Sequence, residues 1–133
     1  MNDMESESNM QMITEVMIAA APDGYVYVFG DNLEHFGLGG QAKVARPFVK
    51  CGKAYGIPTK RKPDNDESSF FADRDDEIYA VRRAFSEIRR MIAQGMTIVF
   101  FPNIGEGLAD LEHRSPAIFG MIKAFIGTYG GSE

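Results

Sequence analysis

Tyr25-Val26-Tyr27-Val28-Phe29-Gly30-Asp31-Asn32-Leu33-Glu34-His35-Phe36-Gly37-Leu38-Gly39-Gly40-Gln41-Ala42 is the stretch that decides the fold. Its first five residues are all β-branched or aromatic, the composition of a buried strand. The run stops at Gly30, and Asp31 to Gly40 is a glycine-rich loop. From Gln41 to Lys50 the apolar set Ala42, Val44, Ala45, Phe48 and Val49 fits a helix. Pro47 shortens or kinks that helix near Arg46, because proline is well tolerated only in a first turn. The same order recurs downstream. Thr97-Ile98-Val99-Phe100-Phe101 reads as a strand and Pro102 to His113 as a second glycine-bearing loop. Ser115-Pro116 then caps and opens a helix to about Ile126, with proline at its first position.

The segments between complete the pattern. Tyr55 to Pro58 is a short strand, and Thr59 to Phe71 is a polar loop stiffened by prolines. Asp73-Arg74-Asp75-Asp76-Glu77 places negative charge at a helix start, where the macrodipole favours it. Ile78, Val81, Ala84, Phe85, Ile88, Met91 and Ile92 then form an amphipathic stripe that Gly95 ends. Upstream, Met12 to Ala21 is apolar and fits either a helix or a strand. Residues 1–11 read as a polar, methionine-rich flexible arm, 12–127 as one α/β domain and 128–133 as a tail. Strands alternating with helices argue an α/β sandwich with a small, mostly parallel sheet. The two apolar strands are expected to be covered on both faces.

The chain has 133 residues, the size of one domain. Its net charge is −5, which makes nucleic acid an unlikely partner without a segregated basic face. Lys60-Arg61-Lys62 and Arg82, Arg83, Arg89 and Arg90 do cluster, and are read as solvated faces. A small anionic ligand needs only a local pocket. The longest apolar run, Val16 to Ala21, is too short to cross a bilayer, and no membrane association is expected. The acidic N-terminal residues do not form a signal peptide. The single cysteine, Cys51, fits a reducing cytoplasm and excludes an internal disulfide. It is expected to be buried filler. With two histidines and no clustered carboxylate spacing, no metal site and no cofactor are expected.

Chemistry points to the two loops, because each follows a strand's carboxyl end, the edge where open α/β sheets bind ligands. Glycines let main-chain N–H groups approach an oxyanion closely, and a helix beginning after each loop directs its dipole to the same space. Two such loops facing one crevice suit a diphosphate. Gly37-x-Gly39-x-x-Ala42 matches the loose dinucleotide fingerprint, but it lies too far beyond the strand end at Gly30 to be one. His35 and His113 are read as solvated, and Phe70 and Phe71 as pinning the intervening loop to the core.

The loop pair resembles that of the macro domain, an ADP-ribose-binding α/β/α module. Asn32-Leu33 with Gly37-Leu38-Gly39-Gly40-Gln41-Ala42 is similar to its first motif. Ile98 to Phe101, Pro102, Asn103, Ile104 and Gly105-Glu106-Gly107-Leu108 are similar to its second. Gly107-Leu108-x-x-Leu111 and Ile57-Pro58-Thr59-Lys60-Arg61 are most similar to the branch that removes ADP-ribose from glutamate. The resemblance covers about Tyr25 to Ile126. It implies a three-layer α/β/α sandwich that binds ADP-ribose or a related nucleotide diphosphate, with hydrolysis of ADP-ribose derivatives as an open extension. Gly30, Leu33, Gly37, Gly39, Gly40 and Gln41 would hold the distal ribose and diphosphate. Asn103, Ile104, Gly105, Glu106, Gly107 and Leu108 would wrap the diphosphate from the other side. Asn32 would orient the ribose, with Asp31 or Asp110 as candidate base; Ala109 stands where that branch carries its aspartate. The alternative is a small, acidic, non-catalytic accessory protein, viral or mobile-element in character, acting through a protein partner.

Overall fold

A computed structural model of the chain describes residues 13–130. The expected arm, residues 1–11, lies outside the described residues. The elements are α1 (Glu15–Ala20), β1 (Tyr25–Asn32), α2 (Ala42–Ala45), β2 (Ala54–Lys60), α3 (Asp75–Ala93), β3 (Thr97–Phe100), α4 (Leu111–Arg114) and α5 (Pro116–Tyr129). Single 3₁₀ turns cover Arg46–Phe48 and Glu67–Ser69. The protein is an α/β fold around a three-stranded parallel sheet of order β2-β1-β3. The ambiguous Met12 to Ala21 stretch becomes helix from Glu15, where Thr14 Oγ1 accepts the amide N–H of Met17. The final helix runs to Tyr129, past the expected domain end at 127, because nothing breaks it before Gly130.

β1 is the central strand and is almost wholly buried, as its β-branched and aromatic run requires. β3 is different. It pairs with β1 on one side only, and its four residues are half-buried or exposed, against the expectation of cover on both faces. An apolar run fixes strand identity here, but not position in the sheet. β2 is longer than expected and continues to Lys60, so that Asn32 and Lys60 become partners across the β1–β2 pair.

The core gathers Val26, Val28 and Phe29 of β1 with Val81, Phe85 and Ile88 of α3 and Ile118, Ile122 and Phe125 of α5. The rings of Phe85 and Phe125 stack at 4.1 Å, fastening α3 to α5. Phe71 joins the core and pins the 61–73 loop to it, as expected, whereas Phe70 is buried outside the core, against Lys60 and Arg114.

The start of α5 is closed by a side chain from elsewhere in the chain. Ser115 does not cap α5 directly. Its hydroxyl donates to Asp73 Oδ1 at 2.6 Å, and the Asp73 carboxylate accepts the N–H groups of Ala117 and Ile118, both at 2.9 Å. Asp73 holds a left-handed backbone (φ 56°) to reach that helix end. Glu77 does similar work at α3. Its side chain is 0% exposed and accepts the amides of Ala72 (2.8 Å) and Arg74 (3.0 Å), while Arg61 and Arg74 donate to its other oxygen. Burial alone would raise the Glu77 pKa. The amide bonds and the two guanidinium groups outweigh it and hold the carboxyl below its ordinary value.

Candidate functional site

The order β2-β1-β3 means that the chain leaves β1 toward one side and returns, through α3, to the other. The strand order therefore reverses at β1, and the crevice expected at such a switch point lies beyond the carboxyl ends of β1 and β3. The structure has a cavity of about 360 Å³ there, lined by both glycine loops and by the end of β2. That volume lies at the lower end of the usual range for small-molecule sites.

Of the residues singled out from the sequence, Gly30, Asp31 and Asn32 line the cavity from the end of β1, which pairs with β2 as far as Asn32 and so runs past the expected stop at Gly30, and Gly37, Gly39, Gly40 and Gln41 line it from the first loop. Asn103, Gly105, Gly107 and Leu108 line it from the second. Four lie elsewhere. Leu33 packs against the core, and Ile104 is buried within it. Glu106 turns away to Lys123, 3.0 Å distant. Asp110 faces His113 Nδ1 at 2.7 Å and Arg114 at 3.5 Å. It is off the cavity lining and so poorly placed to act as base.

The polar side chains of the first loop are engaged in shaping it. The Asp31 side chain is 2% exposed. Its carboxylate accepts from Arg46 Nη2 (2.6 Å) and from the Asn32 amide (2.8 Å), and His35 Nδ1 lies 3.0 Å away. Gly56 on β2 makes room for it, since a Cβ there would lie 2.5 Å from Asp31 Cβ. Arg46 also donates through Nε to the carbonyl of Gly37 at 2.7 Å. Asn32 donates through Nδ2 to the carbonyl of Phe36 and accepts the Glu34 amide on Oδ1, which sets the first turn of the loop. Gln41 ties the two strand ends together. Its Oε1 accepts the Gly30 amide at 2.9 Å, and its Nε2 donates to the Pro102 carbonyl at 2.6 Å.

The backbone amides show the opposite state. Gly37, Gly39, Gly40 and Gln41 line the cavity on one side, and Gly105, Gly107, Leu108 and Ala109 on the other. None of these eight N–H groups donates a hydrogen bond among the described residues. Most main-chain donors find a partner in a folded chain, so two runs of unpaired donors on residues that line one cavity offer an acceptor-seeking surface.

Lys60, Arg46, Thr59, Phe36, Pro63, Ala109, Ala42 and Pro102 complete the lining and are not among the ligand-binding residues expected from the sequence. Lys60 was read as part of a solvated basic run. Instead it is buried, donates to the carbonyl of Asp64, and lies 4.6 Å from the Phe70 ring centroid. Burial pushes its pKa down; Asp64 partly opposes this and Arg114 adds to it. Alternation along β2 marks Lys60 as a strand residue once the strand is extended past Pro58. Arg61, its neighbour, points the other way to Glu77 and Asp76. Cys51 is exposed, not buried, because the chain turns there between the 3₁₀ turn and β2. His35 and His113 are exposed, each beside an aspartate. Among the described residues no group of three or more His, Cys, Asp or Glu side chains is arranged to hold a metal ion. No helix among them is long and apolar enough to cross a membrane.

Neither the curated proteins nor the solved structures offer a match to the chain. One family model does match, over residues 8–125, and by that match the chain belongs to a family of unknown function (DUF7831).

Proposed function

We propose that this protein binds ADP-ribose or a related nucleotide diphosphate in the crevice between its two glycine loops. The observation that carries the proposal is the set of eight open amide donors on two loops that line one cavity, with Lys60 on the same lining. Backbone donors held at fixed spacing suit the many equivalent oxygens of a diphosphate, and a single partly desolvated lysine adds charge without a basic face. The macro-like, three-layer arrangement is part of the same proposal. It is supported by crossovers that run in opposite directions, β1 to β2 and then β2 to β3, because right-handed connections of opposite direction place their helices on opposite faces of a sheet.

Binding is favoured over hydrolysis. Asp31 already accepts from Arg46 and the Asn32 amide and has His35 beside it, and Asp110 faces away from the cavity. A general base must reach the attacking water, and neither carboxylate is free to do so here.

Calorimetric titration with ADP-ribose, with ADP and NAD as comparators, tests the proposal. Micromolar binding is expected, lost by at least tenfold in Gly107→Glu. That position is chosen because a Cβ at Gly107 meets nothing within 4 Å, so the new carboxylate repels the ligand without disturbing the fold. Gly105 is unsuitable, since a Cβ there collides with Leu111. Absence of binding by all three ligands would overturn the proposal.

A further inference from the structure

The rim of the crevice is apolar in a way that the anion-binding floor does not explain. Phe36 is 68% exposed, Leu38 64% and Leu108 65%. These are three of the eight large hydrophobic residues that the described chain leaves exposed, and all three stand on the two glycine loops. Apolar side chains scattered singly over a surface are ordinary, but a group of them at the mouth of a cavity is not. Phe36 and Leu108 both line the cavity, from opposite loops. The loops come close where they carry these residues: a Cβ on Gly39 would lie 3.9 Å from Leu108 Cδ1. Pro63, itself on the lining, packs against Gly37, where an added Cβ would come within 2.9 Å. Phe36 is therefore carried on a segment braced by Pro63, by the Arg46 bond to the Gly37 carbonyl and by the Asn32 bond to its own carbonyl.

From these positions we infer that the rim is a seat for a flat aromatic ring, with Phe36 as the stacking face and Leu108 closing over it, so that the nucleobase of the ligand is held at the mouth while its phosphates meet the open amides. This rests on the anion site proposed above and adds the feature that selects a nucleotide over a bare phosphate. The patch is small. A stable protein interface uses roughly 20–30 residues a side, whereas three side chains and a proline match one ring of a small molecule. The rim is also continuous with the cavity, so one ligand reaches both. No carboxylate or amide side chain on the rim is needed to read the base edge, and purines and pyrimidines are both accommodated, purines more tightly because they offer more stacking area.

The experiment is calorimetric titration of the full chain with inorganic pyrophosphate, ribose 5-phosphate, ADP and ADP-ribose, repeated for Phe36→Ala, Phe36→Tyr and Leu108→Ser. The wild type is expected to bind ADP at least about tenfold more tightly than pyrophosphate, the scale of one base–aromatic stack. Phe36→Ala removes that advantage and leaves pyrophosphate affinity unchanged, and Phe36→Tyr, which keeps the ring, restores it. Leu108→Ser lowers ADP affinity by a smaller factor. If Phe36→Ala binds ADP and ADP-ribose within twofold of the wild type, the base seat is refuted while the anion site stands. If the wild type binds none of the four ligands, the anion site fails and the base seat fails with it.

Discussion

The chain carries two places where loops deliver free amide groups to the start of helices, and it treats them in opposite ways. At the start of α5 and on the approach to α3 the donors are closed. Ala72 and Arg74 donate to Glu77, Ala117 and Ile118 donate to Asp73, and Asp73 itself donates to Ser115 Oγ. At the carboxyl ends of β1 and β3 the donors are open, although carboxylates and amide side chains are close by. Asp31, Asn32 and Gln41 serve the turns of the loops and the join between strands instead. The same chemical material thus builds a sealed joint in one region and an acceptor-seeking cavity in the other. An unsatisfied donor is tolerated where water or a ligand reaches it, and is costly where neither does.

The sharpest way to break this contrast is at the sealed joint. Removing one partner of a buried, paired charge costs about 3–5 kcal/mol. Glu77→Ala is therefore expected to lower unfolding free energy by about that amount in urea titrations, because it leaves two amides without their acceptor, takes the carboxylate from Arg74 and leaves Arg61 with Asp76 alone. ADP-ribose affinity of the remaining folded fraction is expected to be unchanged. The pH dependence follows from the depressed Glu77 pKa. Its stabilising contribution is fully present above the ordinary glutamate value, about 4.3, and is lost as pH falls through the lower folded value. The stability gap between the wild type and Glu77→Gln should narrow over that acid range.

A smaller loss, about 1–2 kcal/mol, is expected for Asp73→Ala, read by thermal or urea unfolding, since it uncaps α5. Here too the crevice should bind as before. At the open region the ranking inverts. Lys60→Met is expected to leave stability within about 1 kcal/mol, because it replaces a desolvated ammonium with an apolar chain of similar length. It should nonetheless weaken ADP-ribose binding by about tenfold, the scale of one charge-assisted contact. The smallest effect is assigned to Asp110→Asn. Binding should be untouched, because Asp110 lies off the cavity. The His113 pKa, raised by its hydrogen bond to Asp110 and by that carboxylate's charge, should fall back toward its ordinary value in an NMR titration of the ring protons.

The contrast also explains what could be read without the structure. Composition and periodicity carry β1, α3 and the helix opened by Pro116, because each presents an uninterrupted pattern of burial. The two loops were legible as a pair for the same reason: each is framed by a strand and a helix. What the pattern does not carry is lateral position. Nothing in Thr97 to Phe101 says that β3 is an edge strand, and nothing in Lys60-Arg61-Lys62 says that Lys60 is a buried residue of the cavity lining while Arg61 turns to Glu77. Long-range partnerships are equally invisible. Asp73 looks like the start of α3 and instead caps α5, over 40 residues downstream. Gln41 looks like a ligand group, yet both ends of its amide are held by backbone across the two strand ends. Local chemistry marks which residues are able to act, and tertiary pairing decides which of them are already engaged.

The most direct test of the central claim is an amide-resolved NMR titration of the ¹⁵N-labelled chain with ADP-ribose. Saturable shifts are expected for the N–H groups of Gly39, Gly40, Gln41, Gly105, Gly107 and Leu108, while Ala72, Arg74, Ala117 and Ile118 stay fixed. Shifts that are absent from the loop amides at millimolar ligand, or that spread equally to the capped amides of α3 and α5, would contradict it.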